Sequence, residues 1–306
     1  MKRFTPAVLV LTATLMSAYG SAQAQEDVSK VQIKTTDLGH NTYMLEGQGG
    51  NITVVVGTDG VIVFDTQFIP LHDKIKAAIA KFTNLPIKYV IDSHFHNDHA
   101  NGNPPFAREG AVIVAQESVK PRILSRQAGL GAGQIPPPMD PVGLPTIEYK
   151  DRINISVGGR TVQVIHVPNA HTDGDSIVWI PDANVLATAD LGGAQRNFGN
   201  PDIPGGGSID GIVAGFDTAI ALANDQTKVV VGHGPLSTRA DLVETRRVVA
   251  LVRDRVKQMK AAKMSEDEVV AAKPAADVQA SRHADDKISE SFVRAVYETV
   301  AMKGNP

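Results

Sequence analysis

Three histidines and an aspartate lie within six consecutive positions of this chain, at His94, His96, Asp98 and His99. Neutral imidazole nitrogens and carboxylate oxygens both bind zinc, at about 2.0–2.2 Å. Alternate residues that leave the end of a strand point the same way, so His94 and His96 can bind one ion together. Asp98 and His99 follow where the chain turns, and they can reach a second ion. The segment therefore predicts a metal site.

The setting of this segment favours a metal site over a histidine-rich surface turn. The chain has nine histidines among 306 residues. Three of them at preset positions have a chance of about 10⁻⁵ per starting position, so the motif is far more specific than a lone pair. The segment also follows Ile87–Ile91, an apolar run that predicts a buried strand. A strand that presents ligands at its end is the context that such a site needs.

The pattern H-x-H-x-D-H after an apolar strand resembles the signature of the metallo-β-lactamase superfamily, and three further motifs follow in the family's order. His171, in N-A-H-T-D-G-D-S, resembles the histidine that completes the family's first metal set. Asp190, in T-A-D-L, resembles the carboxylate that bridges the two ions. His233, in V-G-H-G-P, resembles the histidine that completes the second set. The resemblance extends from about residue 31 to 260.

The resemblance implies a hydrolase with two zinc ions per chain. Two ions about 3.5–4 Å apart lower the pKa of a bridging water from 15.7 towards about 7, and the resulting hydroxide can attack an electrophile. Asp98 is the candidate catalytic residue, because it can orient the hydroxide as well as bind metal. The implied ligands are His94, His96 and His171 for the first ion, Asp98, His99 and His233 for the second, and Asp190 as the bridge.

This chemistry suits the hydrolysis of a carbonyl-type bond in a β-lactam, lactone, ester or thioester. Two hypotheses from other classes remain: a single-iron dioxygenase that acts on persulfides, and a non-catalytic metal-binding protein. The complete second set, with His99 and His233, argues against the dioxygenase, because such enzymes do not need those ligands. The intact set of seven ligands argues against a protein without catalytic activity.

Two features depart from the β-lactamases of the family. Those enzymes often hold the substrate carboxylate with a lysine or serines shortly after the position of Asp190, where this chain reads G-G-A-Q-R-N-F. Arg196 is the candidate substrate-binding residue of this loop, and an exposed loop arginine is the common alternative. The turn Gly47–Asn51 is too short for the long apolar flap of many β-lactamases. We therefore expect slow or narrow β-lactam cleavage.

Four histidines fit no motif, and we interpret them as structural or surface residues: His40, His72, His166 and His283. Asp65 closes the apolar run Val61–Phe64 and resembles a family aspartate that supports the ligand loops. A hydrogen bond to a ligand histidine and a simple strand-end turn are equally compatible with this position.

The first residues predict an export leader. Lys2 and Arg3 precede the apolar stretch Ala7–Leu15, and small residues then end in the cleavage pattern Ala22-Gln23-Ala24. The apolar stretch is shorter than the roughly 20 residues that span a bilayer. We therefore expect cleavage near Ala24, a periplasmic location and no stable membrane insertion afterwards.

Charge and cysteine content exclude several function classes. Without residues 1–24 the chain keeps 28 basic and 33 acidic residues, a net charge of −5. No mature segment is strongly basic, so a nucleic-acid surface is not indicated, and a small molecule is the expected substrate. The chain has no cysteine, so neither disulfides nor thiolate metal ligands can form.

The hydrophobic pattern predicts an α+β fold. Short β-type runs come first, a helical period follows over Leu71–Phe82, and strands then alternate with helices. Beyond His233 the pattern is helical, with a capping box at Ser265 and Glu268. We expect an αββα metallo-β-lactamase sandwich, which has two mixed β-sheets with helices on the outside. The predicted units are a signal peptide (1–24), a hydrolase domain (25–262) and a helical C-terminal extension (263–306).

Overall fold

The structure is a computed structural model that describes residues 28–125, 137–192 and 198–301. Over these residues the chain forms two β-sheets packed face to face, with helices on both outer sides. The predicted αββα sandwich is confirmed. The predicted leader and the candidate substrate residue Arg196 lie outside the described residues.

The first sheet has seven strands that lie side by side in chain order. The first four are antiparallel, whereas the last three continue the sheet parallel to the fourth. Parallel neighbours need crossover connections, and these place helices on the outer face of the sheet. The strands are β1 (Lys34–Gly39), β2 (Thr42–Glu46), β3 (Ile52–Val56), β4 (Val61–Phe64), β5 (Ile87–Ile91), β6 (Val112–Gln116) and β7 (Ile147–Tyr149).

The second sheet has six strands in the order β13-β12-β11-β10-β9-β8. Strands β8 to β11 form an antiparallel meander, β12 is parallel to β11, and β13 is antiparallel to β12. The sheet is therefore mixed, as the sequence predicts. Its strands are β8 (Arg152–Val157), β9 (Arg160–His166), β10 (Ser176–Ile180), β11 (Val185–Ala189), β12 (Lys228–Val231) and β13 (Ser237–Thr238).

The α-helices of the described residues cover the outer faces and shape the edge where the strands end. Short α2 begins directly after His96 and carries Asp98 and His99, so it fixes the second half of the histidine motif. The helices are α1 (His72–Ile79), α2 (Asn97–Ala100), α3 (Asn103–Arg108), α4 (Val119–Leu124), α5 (Ile209–Leu222), α6 (Arg239–Ala261), α7 (Glu266–Ala271) and α8 (Asp286–Thr299).

Three of the four buried apolar clusters found in the described residues hold these layers together. The inner faces of the two sheets meet in one cluster, to which Ile62 of β4 and Val164 of β9 both contribute. On the outer side of the first sheet, α1 and α3 bury Ile75 and Phe106. The outer side of the second sheet is covered by α5, α6, α7 and α8. Burial on both faces explains why β4, the neighbour of β5 in the sheet, is uniformly apolar.

The C-terminal helices share the core of the second sheet. Val269 of α7 and Phe292 of α8 belong to the same buried cluster as Phe216 of α5. Ser265 and Glu268 form the predicted capping box at the start of α7. The division between 25–262 and 263–306 stays a prediction. Within the described residues, no helix has both the length and the apolarity that crossing a bilayer requires.

Several boundaries differ from the sequence prediction for local reasons. The alternation of apolar residues in the sequence predicts a first strand over Val31–Thr36, but β1 runs to Gly39, because the turn to β2 uses the left-handed residues Gly39, His40 and Asn41. The sequence pattern also predicts a helix near Gln116–Arg126, but this helix begins only at Val119 in the structure, because Gln116 still belongs to β6. Helix α3 was not predicted, since its paired prolines read as a break although they occupy its first turn.

Candidate metal centre

The predicted ligands come from loops that follow four strands, and the fold brings all of these loops to one edge of the sandwich. The histidine motif follows β5, His171 lies between β9 and β10, Asp190 follows β11 directly, and His233 follows β12 by two positions. The carboxyl ends of parallel strands meet at the same edge of a sheet, which is where α/β folds build their sites. Three overlapping groups of these side chains place their donor atoms within 4.8 Å of one another.

The first set consists of His94, His96 and His171, whose ring nitrogens converge on one point. Nε2 of His94 lies 3.0 Å from Nδ1 of His96, and Nε2 of His171 lies 3.0 Å from that same Nδ1. Nitrogens bound to one tetrahedral zinc ion at 2.0–2.1 Å are about 3.3 Å apart. The spacing of this set is close to that required by a single zinc ion.

The outward nitrogens of two of these rings are held by hydrogen-bond acceptors. Nδ1 of His171 lies 2.5 Å from the carbonyl oxygen of Asn200, and Nε2 of His96 lies 2.9 Å from Oδ2 of Asp202. Burial opposes charge on Asp202, but the hydrogen bond from His96 lowers the pKa of its carboxyl below the usual value. Both outward nitrogens are therefore assigned the proton. The inward nitrogens are left with lone pairs 3.0 Å apart, an arrangement that a cation between them stabilises.

His94 completes this set in the neutral form that binds metal. Burial, followed by the nearby rings of His99 and His96, lowers its pKa well below the usual value. Its Nδ1 lies 2.9 Å from the hydroxyl of Ser93, which leaves Nε2 facing the other two histidines. The donor chemistry of the set thus fits zinc, which binds neutral imidazole.

The second set consists of Asp98, His99 and His233. Oδ2 of Asp98 lies 3.2 Å from Nε2 of His233 and 3.6 Å from Nε2 of His99. The two histidine Nε2 atoms are 3.4 Å apart. These separations match the edges of a tetrahedral zinc site, about 3.3 Å. Side-chain exposure is 42% for His233 and 32% for Asp98, so these two members of the set face solvent, whereas His99 is fully buried.

Asp190 lies between the two sets. Its Oδ2 is 3.7 Å from Nε2 of His171 in the first set and 3.4 Å from Nε2 of His233 in the second. Its Oδ1 is 3.3 Å from Nε2 of His99. That buried oxygen makes no hydrogen bond to the described residues. A buried carboxylate oxygen without a donor is costly, and a metal ligand bond would satisfy it.

The carboxylates of this centre require positive charge beside them. Although burial opposes its ionisation, His99 and then His233 lower the pKa of Asp98 to about 2, and they hold the pKa of Asp190 well below its usual value. Conversely, hydrogen bonds to Asp190 and Asp98 raise the pKa of His233 to about 9. Protons or a bound cation can supply this charge, so we expect zinc binding to release protons.

Asp65 contacts the second set on the outer ring nitrogen of His99. Its Oδ2 lies 2.8 Å from Nδ1 of His99, and its Oδ1 accepts the backbone N–H of Ser93 at 2.8 Å. The side chains of Asp65 and His99 are both fully buried. Of the two roles that the sequence left open for Asp65, the structure favours the hydrogen bond to His99, a candidate ligand histidine.

Replacing Asp65 with asparagine should weaken zinc binding at the second set by about 10- to 100-fold, the usual cost of losing such a partner. An amide keeps the shape, but it cannot offer two charged oxygens to His99 and Ser93. Stepwise zinc titration against a chromophoric chelator measures both affinities. The first set is the internal control, and equal weakening of both sets would contradict the assigned role.

Sequence reasoning missed the residues that orient the first set. Asp175 accepts the backbone N–H of His171 at 2.6 Å and that of Thr172 at 2.9 Å, a short-range turn that the motif N-A-H-T-D-G-D-S could have indicated. Asp202 and Asn200 lie in a loop rich in glycine and proline. No spacing rule links that loop to His96, which lies 106 positions earlier than Asp202.

The four unassigned histidines belong to none of the candidate metal-binding groups found among the described residues. His40 is exposed in the β1–β2 turn. His72 is buried at the start of α1, where its ring packs edge-on against Phe106. His166 contacts the carbonyl of Asp175 through Nδ1, and His283 lies in a left-handed turn. These positions fit the structural and surface roles expected from the sequence.

Comparison with known families agrees with this geometry. The family model described as metallo-beta-lactamase superfamily matches residues 45–233, which is more than half of the 306 residues. The chain belongs to the metallo-beta-lactamase superfamily. Members of this superfamily are metal-dependent hydrolases, so the resemblance and the enzyme class predicted from the sequence are both confirmed. The matched range ends at His233, the last predicted ligand, and contains the other six.

Curated members of the superfamily with similar sequences differ in their reactions. A linear primary-alkylsulfatase from a Pseudomonas strain is 25% identical over 71% of this chain and 48% of its own length. The metallo-beta-lactamase IND-1 of Chryseobacterium indologenes is 24% identical over 58% of this chain and 70% of its own length. Neither identity is high enough to transfer a substrate.

Solved structures of the superfamily share the fold at low identity. The sec-alkylsulfatase Pisa1 from Pseudomonas sp. superimposes with a TM-score of 0.71 over 90% of this chain and 51% of its own, at 16% identity. A metallo-beta-lactamase from Pontibacter korlensis gives 0.60 over 72% of this chain and 99% of its own, also at 16% identity. The chain thus spans about half the length of the two alkylsulfatases that it matches.

Proposed function

We propose that this chain is a dinuclear zinc hydrolase that cleaves a carbonyl-type bond in a small molecule. The observation that carries the proposal is the position of Asp190. One of its oxygens lies within 3.7 Å of His171 in the first set and 3.4 Å of His233 in the second. A carboxylate that reaches two complete sets of donor atoms suits two neighbouring ions. A protein that binds a single metal ion does not need a carboxylate in this position.

The seven residues His94, His96, Asp98, His99, His171, Asp190 and His233 would hold the two ions. Bound there, zinc would supply Lewis acidity and lower the pKa of a water molecule towards neutrality. The chain's own contribution is a fixed donor geometry. Asp202, Asp65 and Asn200 hold the outer ring nitrogens of His96, His99 and His171, respectively. Preorganised donors need no rearrangement during the reaction.

Solvent exposure indicates the side from which substrate arrives. His94 and His171 have side-chain exposures of about a tenth or less, whereas Asp98 and His233 are open to solvent. A carboxyl group of ordinary pKa, about 4, is ionised throughout the neutral range, so the partly exposed carboxylate of Asp98 is a hydrogen-bond acceptor there. Asp98 can therefore accept a hydrogen bond from the attacking water and orient it, which is the catalytic role that we propose for this residue.

The candidate bonds are those of β-lactams, lactones, esters and thioesters. Sulfate ester hydrolysis is a second candidate, because two alkylsulfatases are similar to most of this chain in sequence or fold. The iron dioxygenase hypothesis is less well supported, because Asp98, His99 and His233 form a complete second set with zinc-like spacing. The same set argues against a non-catalytic metal-binding protein.

A panel of substrates in the presence and absence of a chelator tests this function. We expect chelator-sensitive hydrolysis of p-nitrophenyl esters, homoserine lactones or glutathione thioesters, with slow or narrow cleavage of nitrocefin and carbapenems. A substrate held without dedicated contacts is misplaced, and misplacement by about 1 Å can cost about 10²-fold in rate. An alkyl sulfate in the same panel tests the second candidate.

The controls for this panel are two histidine variants. His233→Ala should lose most activity, whereas His40→Asn should keep it, since His40 is exposed and asparagine tolerates its left-handed backbone. Inactivity of the zinc-loaded protein towards every class would contradict the proposal. Efficient turnover of several β-lactams would instead show that the short turn Gly47–Asn51 does not limit β-lactam binding.

A further inference from the structure

We propose that Arg122 is a positioning residue for the first metal set, an inference that rests on the proposed function. Arg122 lies on α4, outside every motif of the family pattern, and its side chain is 21% exposed. Its guanidinium contacts three separate segments of the chain. Each of these segments carries either a ligand of the first set or the aspartate that orients one.

The first contact is with the segment that carries His171. Nη2 of Arg122 lies 2.6 Å from Oδ2 of Asp173, and its Nε lies 3.2 and 3.1 Å from the two carboxylate oxygens. Asp173 is two residues after His171, and its backbone N–H donates to the carbonyl of Gly205 at 2.9 Å. A forked arginine–carboxylate pair fixes orientation as well as distance.

The second contact is with the loop that carries Asp202. Nη1 of Arg122 donates to the carbonyl oxygen of Pro204 at 2.9 Å. In the same loop, the backbone N–H of Asp202 donates to the carbonyl of His171 at 2.7 Å, while the carboxylate of Asp202 holds His96. Arg122 therefore joins the loop that orients His96 to the loop that carries His171.

The third contact is with the histidine motif itself. The guanidinium carbon of Arg122 lies 5.9 Å from the ring centroid of Phe95, a distance typical of cation–π contacts. Phe95 is buried at 1% exposure and lies in the chain between His94 and His96. A methyl group added at Gly205 would approach this ring to 2.9 Å, so the loop and the ring are closely packed.

One side chain thus links the segments that carry all three ligands of the first set. Without it, Asp173 loses its partner and the carbonyl of Pro204 loses a donor, so both loops can relax away from Phe95. A shift of a few tenths of an ångström in His96 or His171 would separate nitrogens that now converge. Supporting residues of this kind set metal affinity without touching the metal.

The test isolates the first set in the His233→Ala background, because removing that ligand empties the second set. In this background, Arg122→Ala should weaken zinc binding by about 10- to 100-fold, measured by competition with a chromophoric chelator. Arg122→Lys should recover part of the affinity, since an ammonium keeps the charge but not the fork. The cobalt-substituted protein should show an altered visible spectrum in Arg122→Ala, because the ligand geometry changes.

Arg253→Ala is the matched control. Arg253 has the same exposure, 21%, and pairs with Asp210 of α5 at 3.3 Å and Asp254 of α6 at 2.8 Å, neither of which belongs to a ligand loop. Its removal should leave zinc affinity unchanged while lowering the metal-free melting temperature about as much as Arg122→Ala does. If Arg122→Ala does not fold, Asp173→Asn removes the same ion pair with a minimal change, and the same weakening is expected.

The possible outcomes separate the inference from the proposed function. Zinc affinity within twofold of the background in Arg122→Ala and Asp173→Asn would overturn the positioning role alone. If Arg253→Ala weakens zinc binding as much as Arg122→Ala does, the cause is a general loss of stability, and this result would also overturn the positioning role. Absence of zinc binding by the wild-type protein would overturn the proposed function and, with it, the inference.

Discussion

Asp190→Ala should empty both metal sets and reduce hydrolysis by more than about 100-fold, since even residues that only support a ligand contribute about 10- to 100-fold. The reason is the position of its carboxylate, which lies 3.7 Å from His171 and 3.3 Å from His99. Removal also leaves the imidazoles of His171, His99 and His233 without the carboxylate that lies between the two sets. Zinc content by elemental analysis and the rate with the best ester substrate measure the two effects.

Asp217→Ala is the control for this variant. Asp217 lies on α5, is 56% exposed and pairs with Arg246 at 2.9 Å, so its loss removes a carboxylate far from the ligand loops. It should keep the wild-type zinc content and rate, because exposed ion pairs contribute little to stability. Retention of both zinc ions by Asp190→Ala would show that Asp190 does not bridge the sets.

Gly232→Ala should disable the centre although no ligand is removed. A methyl group on Gly232 would overlap Oδ1 of Asp190 and would lie 2.7 Å from the carbonyl carbon of Ala189. Ala189 cannot easily yield, because it adopts a left-handed conformation (φ 44°) and its carbonyl accepts the N–H of Gly232 at 2.7 Å. The carboxylate must therefore move, and a misplacement of about 1 Å can cost about 10²-fold in rate.

Gly234→Ala separates this clash from a general cost of losing glycine. Gly234 lies in the same loop at φ 109°, and a methyl group there would meet nothing within 4 Å. It should lower the melting temperature through backbone strain but keep the zinc content. A Gly232→Ala protein with the wild-type zinc content and rate would contradict the geometry described for Asp190.

The sequence was sufficient to predict the fold class and the strand that leads into the histidine motif, but not the short helix α2 that carries Asp98 and His99. Strand β5 and helix α1 lie where the apolar pattern places them, because burial of a strand or of one face of a helix leaves a direct pattern in sequence. Helix α3 was not predicted, because Pro104 and Pro105 suit the first turn of a helix but are also typical of positions where a helix ends. Register and short helices depend on packing between distant segments, which one sequence does not display.

The candidate site was predictable to the extent that its chemistry is local. His94, His96, Asp98 and His99 form a compact motif, and the structure places them beside His171, Asp190 and His233. The supporting contacts were not predictable, because they join residues far apart in sequence. Asp202 holds His96 across 106 positions, and Arg122 reaches Asp173 across 51. Neither pair has a spacing rule, since each depends on where two loops meet in the folded chain.

The zinc content of the purified protein tests the central claim most directly. Because two sets of donor atoms share Asp190, we expect about two zinc ions per chain in the wild type and about one in His233→Ala. His40→Asn, which changes an exposed histidine outside both sets, should keep two. Elemental analysis that finds one iron and no zinc in the wild type, or equal metal content in wild type and His233→Ala, would contradict the dinuclear centre.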